Sequence, residues 1–153
     1  MKRIIAVDPG VSGGICVSDF ANDFQPMLFP MPDSLMGITS LLRNAKTIDS
    51  ELWIEEVPKF CGKFRNESTT AVLFQNVGRI EGIAAALSIP INRVTPRKWQ
   101  SILGIGTRGT LDSAAWKRKL KNKAEELYPL VDDLTLKTAD ALLITHYVLS
   151  GKP

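Results

Sequence analysis

Apolar positions follow two rhythms along this chain. Short apolar stretches within 3–8 ("RIIAVD"), 13–18 ("GGICVS") and 51–57 ("ELWIEEV") have the length of strands and lie near Gly, Pro and Asp. The glycine-rich link between the first two predicts a tight return and an antiparallel pair. Residues 25–29 ("QPMLF") read as a weaker edge strand, and 91–95 ("INRVT") as a short fifth one. Between them the spacing becomes helical. Asp33 is the expected N-cap of a helix carrying Leu35, Ile38, Leu41, Leu42 and Ala45 on one face. A strand, a helical crossover and a further strand call for a mixed sheet in which the strand at 51 runs parallel to the first, with helices on the sheet's faces.

After a polar loop at 58–70, a helix is predicted over 71–87. Its stripe is Leu73, Val77, Ile80, Ala84 and Leu87, and a second face of Ala71, Gly78, Gly82 and Ala86 suits close approach of either an internal neighbour or a second subunit. Thr95 and Pro96 form an N-cap and first helical position, with Gly104 as the stop. A flexible loop, "GIGTRGT", follows. Asp112 then caps a helix that buries Trp116, Leu120, Ala124 and Leu127, with Leu111 and Trp116 as a hydrophobic staple and Lys117, Arg118 and Lys121 on the exposed face. A last helix runs from about Thr138 to Gly151. The pattern is α/β, with five strands in one mixed sheet whose first three are antiparallel, flanked by helices.

At 153 residues, with 44% hydrophobic and 23% charged, the chain is expected to form one domain over 1–153. No stretch reads as a signal peptide or membrane span, so a soluble, cytoplasmic protein is expected. Cys16 and Cys61 lack metal or redox spacing and read as reduced, buried thiols. Charge changes the picture more. Residues 93–123 hold nine Lys and Arg against the single acid Asp112, although the whole chain carries only +3. A polyanion would be drawn to one region, which suggests nucleic acid; on charge alone a solvated helix face is the better account.

Asp8 ends the first buried strand, Glu55 ends the strand predicted beside it, and Asp140 lies in the first turn of the final helix. Three converging carboxylates repel one another unless a cation or protons offset them. Magnesium, or manganese, prefers such oxygen ligands, and metal ions held this way hydrolyse phosphodiesters. Each acid also has a plain structural account: a turn residue before Pro9, a strand-end charge, and an acid favoured at a helix N-terminus.

The blocks "IIAVDPGVSGGICV", "LWIEEVPKF", "LFQNVGRIEGIAAALSIPINRVTPRKWQSILGI" and "KTADALLITHYVL" resemble, in order and over nearly the whole chain, those of RuvC-type Holliday junction resolvases, above all the short phage and prophage forms. The resemblance implies an RNase H-like fold, a homodimer, and magnesium-dependent paired nicking of four-way DNA junctions in the cytoplasm of a bacterial or phage-infected cell. It matches the family's acids to Asp8, Glu55 and Asp140, with Glu56 a neighbour. One place departs. Where the family commonly carries a further acid or a histidine, this chain has Lys137, which suits a phosphate contact better than a metal; Asp133, or Asp132, from the preceding loop is the substitute candidate.

For DNA, "PKFCGKFRNES" supplies Lys59, Lys63 and Arg65 as phosphate contacts. Phe60 is the candidate wedge at the junction centre, a role the resemblance would otherwise assign to the position of Pro58. Arg97, Lys98, Arg108, Lys117, Arg118 and Lys121 are expected to add backbone affinity. His146 and the three tryptophans read as core residues. Alternatives are a junction-binding protein with little cleavage, a nuclease of this fold acting on hybrids or other branched DNA, and an ATPase with a similar phosphate loop, which would require a second domain.

Overall fold

The computed structural model describes residues 2–19, 26–57 and 67–151; for Glu67 this covers the backbone alone. Five strands form one sheet: β1 (Arg3–Asp8), β2 (Gly14–Asp19), β3 (Met27–Pro30), β4 (Ser50–Glu55) and β5 (Ile91–Val94). Their spatial order is β3-β2-β1-β4-β5, antiparallel across β1–β2 and β2–β3 and parallel across β1–β4 and β4–β5. This is the mixed five-stranded sheet expected, with β1, β2 and β3 antiparallel and β4 parallel to β1.

Side-chain alternation divides the core into two layers. Ile5 and Val7 of β1, Ile15 and Val17 of β2, and Leu52 and Ile54 of β4 face one way. There they meet Ile38 and Leu42 of helix α1 (Leu35–Ala45) and Ile80 and Ala84 of helix α2 (Glu67–Ala86). Ile4, Ala6 and Cys16 face the other way, with Trp53 packed at the margin. That layer holds Trp99 of α3 (Pro96–Gln100), Trp116, Leu120 and Ala124 of α4 (Ser113–Leu127), and Leu142 and Leu143 of α5 (Ala139–Leu149). Because both faces are covered, β1 is an unbroken apolar run. Asp8 continues the parity of Ile4 and Ala6, and Glu55 that of Trp53. Both acids are therefore aimed at the layer of α3, α4 and α5.

Three details differ from the sequence reading. Ser34, not Asp33, caps α1: its backbone is extended and its Oγ accepts from the Gly37 amide at 3.0 Å. Leu35, placed on the helix's inner stripe, is 53% exposed. Helix α2 begins at Glu67 and not at 71: its opening residues "ESTT" are polar and carry no apolar rhythm by which the sequence could mark them. Elsewhere the caps are as expected, with Thr95 Oγ1 accepting from Lys98 and Asp112 Oδ1 from Ala115. Gly104 ends the short turn after α3 with φ 67°. Among the described residues no helix is long and apolar enough to cross a membrane.

Candidate active site

Asp8, Glu55 and Asp140 line one cleft of about 310 Å³, together with Gly10, Gly13, Trp116 and Lys117. The strands deliver the first two acids at their C-terminal ends. The third comes from α5, which lies across β1 and β2. Its approach is close: a Cβ on Gly14 would stand 2.8 Å from the carbonyl oxygens of Lys137 and Phe29 and 3.2 Å from Cα of Thr138. Thr138 anchors this entry, its Oγ1 accepting from the Thr135 amide at 2.9 Å and donating to the Asp133 carbonyl at 3.2 Å.

The turn after β1 is shaped around the Asp8 carboxylate. Gly10 donates its amide to Asp8 Oδ1 at 3.2 Å, and Gly13 closes the turn by donating to the Gly10 carbonyl at 2.8 Å. A Cβ at Gly13 would lie 2.7 Å from Cγ of Asp8 and closer still to its backbone oxygen. Glycine at 13 thus keeps the space that Asp8 itself fills. From the other side Asn76 of α2, buried, donates its side-chain amide to the Pro9 carbonyl at 2.7 Å and ties the turn to the helix. The sequence reading passed over Asn76. Its one signal is an amide on the inner side of an apolar stripe, between Leu73 and Ile80.

Electrostatics are dominated by confined negative charge. Asp8 and Asp140 are buried and Glu55 is half-buried. Burial, followed by repulsion from Asp8 and Asp140, pushes the Glu55 carboxyl up to about 8, while the indole N–H of Trp99, donating to Glu55 Oε2 at 2.9 Å, opposes the shift. Burial likewise raises Asp140 to about 6, against the attraction of Lys117.

Lys117 is the principal correction to the expected surface. Instead of lying on the exposed face of α4, it turns inward. Its ammonium donates to Asp8 Oδ2 at 3.2 Å and to Asp140 Oδ2. Burial works against its charge, but the two carboxylates outweigh that cost and hold its pKa above the ordinary lysine range. Asp140 Oδ1 remains buried with no hydrogen-bond partner. Among the described residues, no three His, Cys, Asp or Glu side chains are grouped closely enough to hold a metal ion as they stand. The donor set nevertheless suits a hard divalent cation: carboxylate oxygens in excess of positive charge, one of them orphaned.

Asp133 and Lys137 do not join these acids. Both are exposed and neither lines the cleft; Asp133 has a left-handed backbone, φ 60°, and contributes its carbonyl to Thr138. Asp132 is exposed as well, and Glu56 is exposed beyond the end of β4. Of the expected DNA contacts, Lys59, Phe60, Lys63 and Arg65 lie outside the described residues, as does Cys61. Arg97, Lys98 and Arg118 are exposed. Arg108 braces its own loop, donating to the Leu111 carbonyl at 2.9 Å and to Ser113 Oγ at 3.0 Å, and Lys121 pairs with Glu125. His146 packs as expected, its Nδ1 2.7 Å from the Tyr128 hydroxyl, and Cys16 is buried with its thiol pushed up to about 12 by desolvation.

No family model matches this chain, and no curated protein matches it either. Solved structures do. A Thermus thermophilus RuvC in complex with Holliday junction substrate superposes with a TM-score of 0.65 at 12% identity, covering 99% of this chain and 95% of that one. A second Thermus thermophilus RuvC structure gives 0.61 at 14% identity, covering 98% and 97%. The yeast mitochondrial Holliday junction resolvase gives 0.52 at 13%, covering 97% of this chain and 78% of that chain. The chain therefore has the RNase H-like fold of RuvC.

Proposed function

We propose that this chain is a divalent-metal-dependent endonuclease that resolves four-way DNA junctions by paired nicks, acting as a homodimer of one nuclease domain spanning 1–153. The observation that carries the reading is the convergence of Asp8, Glu55 and Asp140, from two strand ends and a helix start, in one cleft of a RuvC fold. A junction-bound RuvC among the similar structures supports branched DNA as substrate.

Asp8 and Asp140, with Glu55, would hold magnesium or manganese, which when bound would supply the positive charge that eases attack of water on a phosphodiester. The protein's part is positioning. Gly10 and Gly13 fix the Asp8 carboxylate, Trp99 orients Glu55, and the packed start of α5 fixes Asp140. Arg97, Lys98 and Arg118 would hold the sugar-phosphate backbone, with Lys59, Phe60, Lys63 and Arg65 following Glu55 in sequence. With neither Asp133 nor Lys137 in the cleft, a junction-binding protein of weak cleavage is the second reading. Incubating a synthetic four-way junction with the protein and magnesium or manganese separates the two. Nicking abolished by Asp8→Asn with binding retained is the expected result, and binding without cleavage in either metal refutes the nuclease.

A further inference from the structure

We infer that Lys117 is a resident counter-cation, seated where a divalent ion would bind, and that the ion must displace it. The inference rests on the proposed metal-binding role of the three acids. The ammonium bonds to one oxygen each of Asp8 and Asp140, the two acids buried most deeply in the cleft. Its single charge faces three carboxylates and leaves Asp140 Oδ1 without a partner. An ammonium carries one charge and only donors, so it holds Asp8 and Asp140 near each other, and the acids as they stand are not grouped as a metal cage.

A divalent ion taking the same oxygens would meet a like charge at contact distance in a poorly hydrated cleft, where such repulsion is strong. Lysine and ion therefore exclude each other. The exit is open: the Lys117 side chain keeps 40% of its surface exposed and hangs on a flexible four-carbon stem from the second turn of α4. Two consequences follow. Without metal, Lys117 keeps mutually repelling carboxylates together. With metal, the apparent affinity is lowered by the fraction of time Lys117 is seated, and binding is coupled to release of an amine beside the acids that would face the substrate.

Metal binding without DNA tests this. Manganese is titrated calorimetrically into wild type, Lys117→Met and Asp8→Asn. Lys117→Met is expected to bind manganese about tenfold tighter than wild type, as when the lysine is seated roughly nine-tenths of the time. Equal or weaker binding by Lys117→Met overturns the inference. If that binding is still lost in Asp8→Asn, the metal site itself stands; no saturable binding in wild type or Lys117→Met removes both. Should Lys117→Met fail to fold, wild type alone decides by amine labelling with acetic anhydride. Acetylation of Lys117 relative to the exposed Lys46 is expected to rise several-fold at saturating manganese, and an unchanged ratio overturns displacement.

Discussion

The indole N–H of Trp99 donates to Oε2 of Glu55 at 2.9 Å, joining the most buried side chain of α3 to the acid at the end of β4. The bond favours the ionised carboxylate and opposes the burial that raises Glu55 to about 8. Trp99→Phe keeps an aromatic ring but removes the donor. Since hydrogen bonds to charged groups contribute about 1.5–3 kcal/mol, nicking near neutral pH should fall about tenfold or more. The acid limb of the pH–rate profile should also move upward, because Glu55 then ionises less readily. A rate lowered by one factor at every pH would assign Trp99 to packing alone.

Confined carboxylates also make stability depend on pH. Glu55 titrates near 8 in the folded chain, against 4.5 as its ordinary value, so between those values the folded protein holds a proton that the unfolded chain has released. Its contribution is full below about 4.5 and is lost as pH rises toward about 8. Asp140, raised to about 6, adds a loss at lower pH. His146 acts oppositely, since burial lowers its pKa and favours folding as pH rises through its ordinary 6.5. The Glu55 term is isolated by comparison with Glu55→Gln. In metal-free buffer the variant's melting temperature should exceed wild type by a margin that widens from about pH 5 to about pH 8. A constant margin would mean that Glu55 is not held protonated.

The sheet was legible because β1 and β2 are buried on both faces and must be written as apolar runs, while β4 alternates buried Leu52 and Ile54 with half-buried Trp53 and Glu55; alternation then places Asp8 and Glu55 on one side. Asp140 was legible from the apolar helix it opens. Lys117 was not, because its neighbours Arg118 and Lys119 are exposed and composition assigns all three to solvent; only the fold reveals that position 117 follows Trp116 around α4 toward the acids. Trp99 read as core, which it is, but its polar end is aimed at Glu55. Ser34 displaced Asp33 as cap because either residue type satisfies the rule and only backbone geometry chooses.

Gly13→Ala tests whether the turn exists to seat Asp8. The added methyl would meet the backbone oxygen of Asp8 at 2.3 Å and its Cγ at 2.7 Å, so the turn must open and the carboxylate must move with it. Overpacking of this kind costs about 1–3 kcal/mol, which should appear as a lower melting temperature. Misplacing the acid should reduce nicking about a hundredfold, the upper range for losing support of a metal ligand. Equal activity of Gly13→Ala and wild type would show that Asp8 needs no such seat.

Paired nicks require two sites, and the outer face of α2 is the surface proposed for the second subunit. Ala71, Gly78, Gly82 and Ala86 are all exposed, and among the described residues a Cβ at Gly78 or Gly82 would touch nothing within 4 Å, so packing among the described residues does not account for these small side chains. A helix interior disfavours glycine relative to alanine by about 0.5–1 kcal/mol. In an isolated subunit, Gly82→Ala should therefore stabilise the fold, and even Gly82→Trp should be tolerated. In a dimer packed through this face, the indole of Gly82→Trp would hold the helices apart. Sedimentation velocity should give a folded monomer for Gly82→Trp and a dimer for wild type, with junction nicking becoming uncoordinated. A Gly82→Trp protein that remains dimeric would place the subunit contact on another surface.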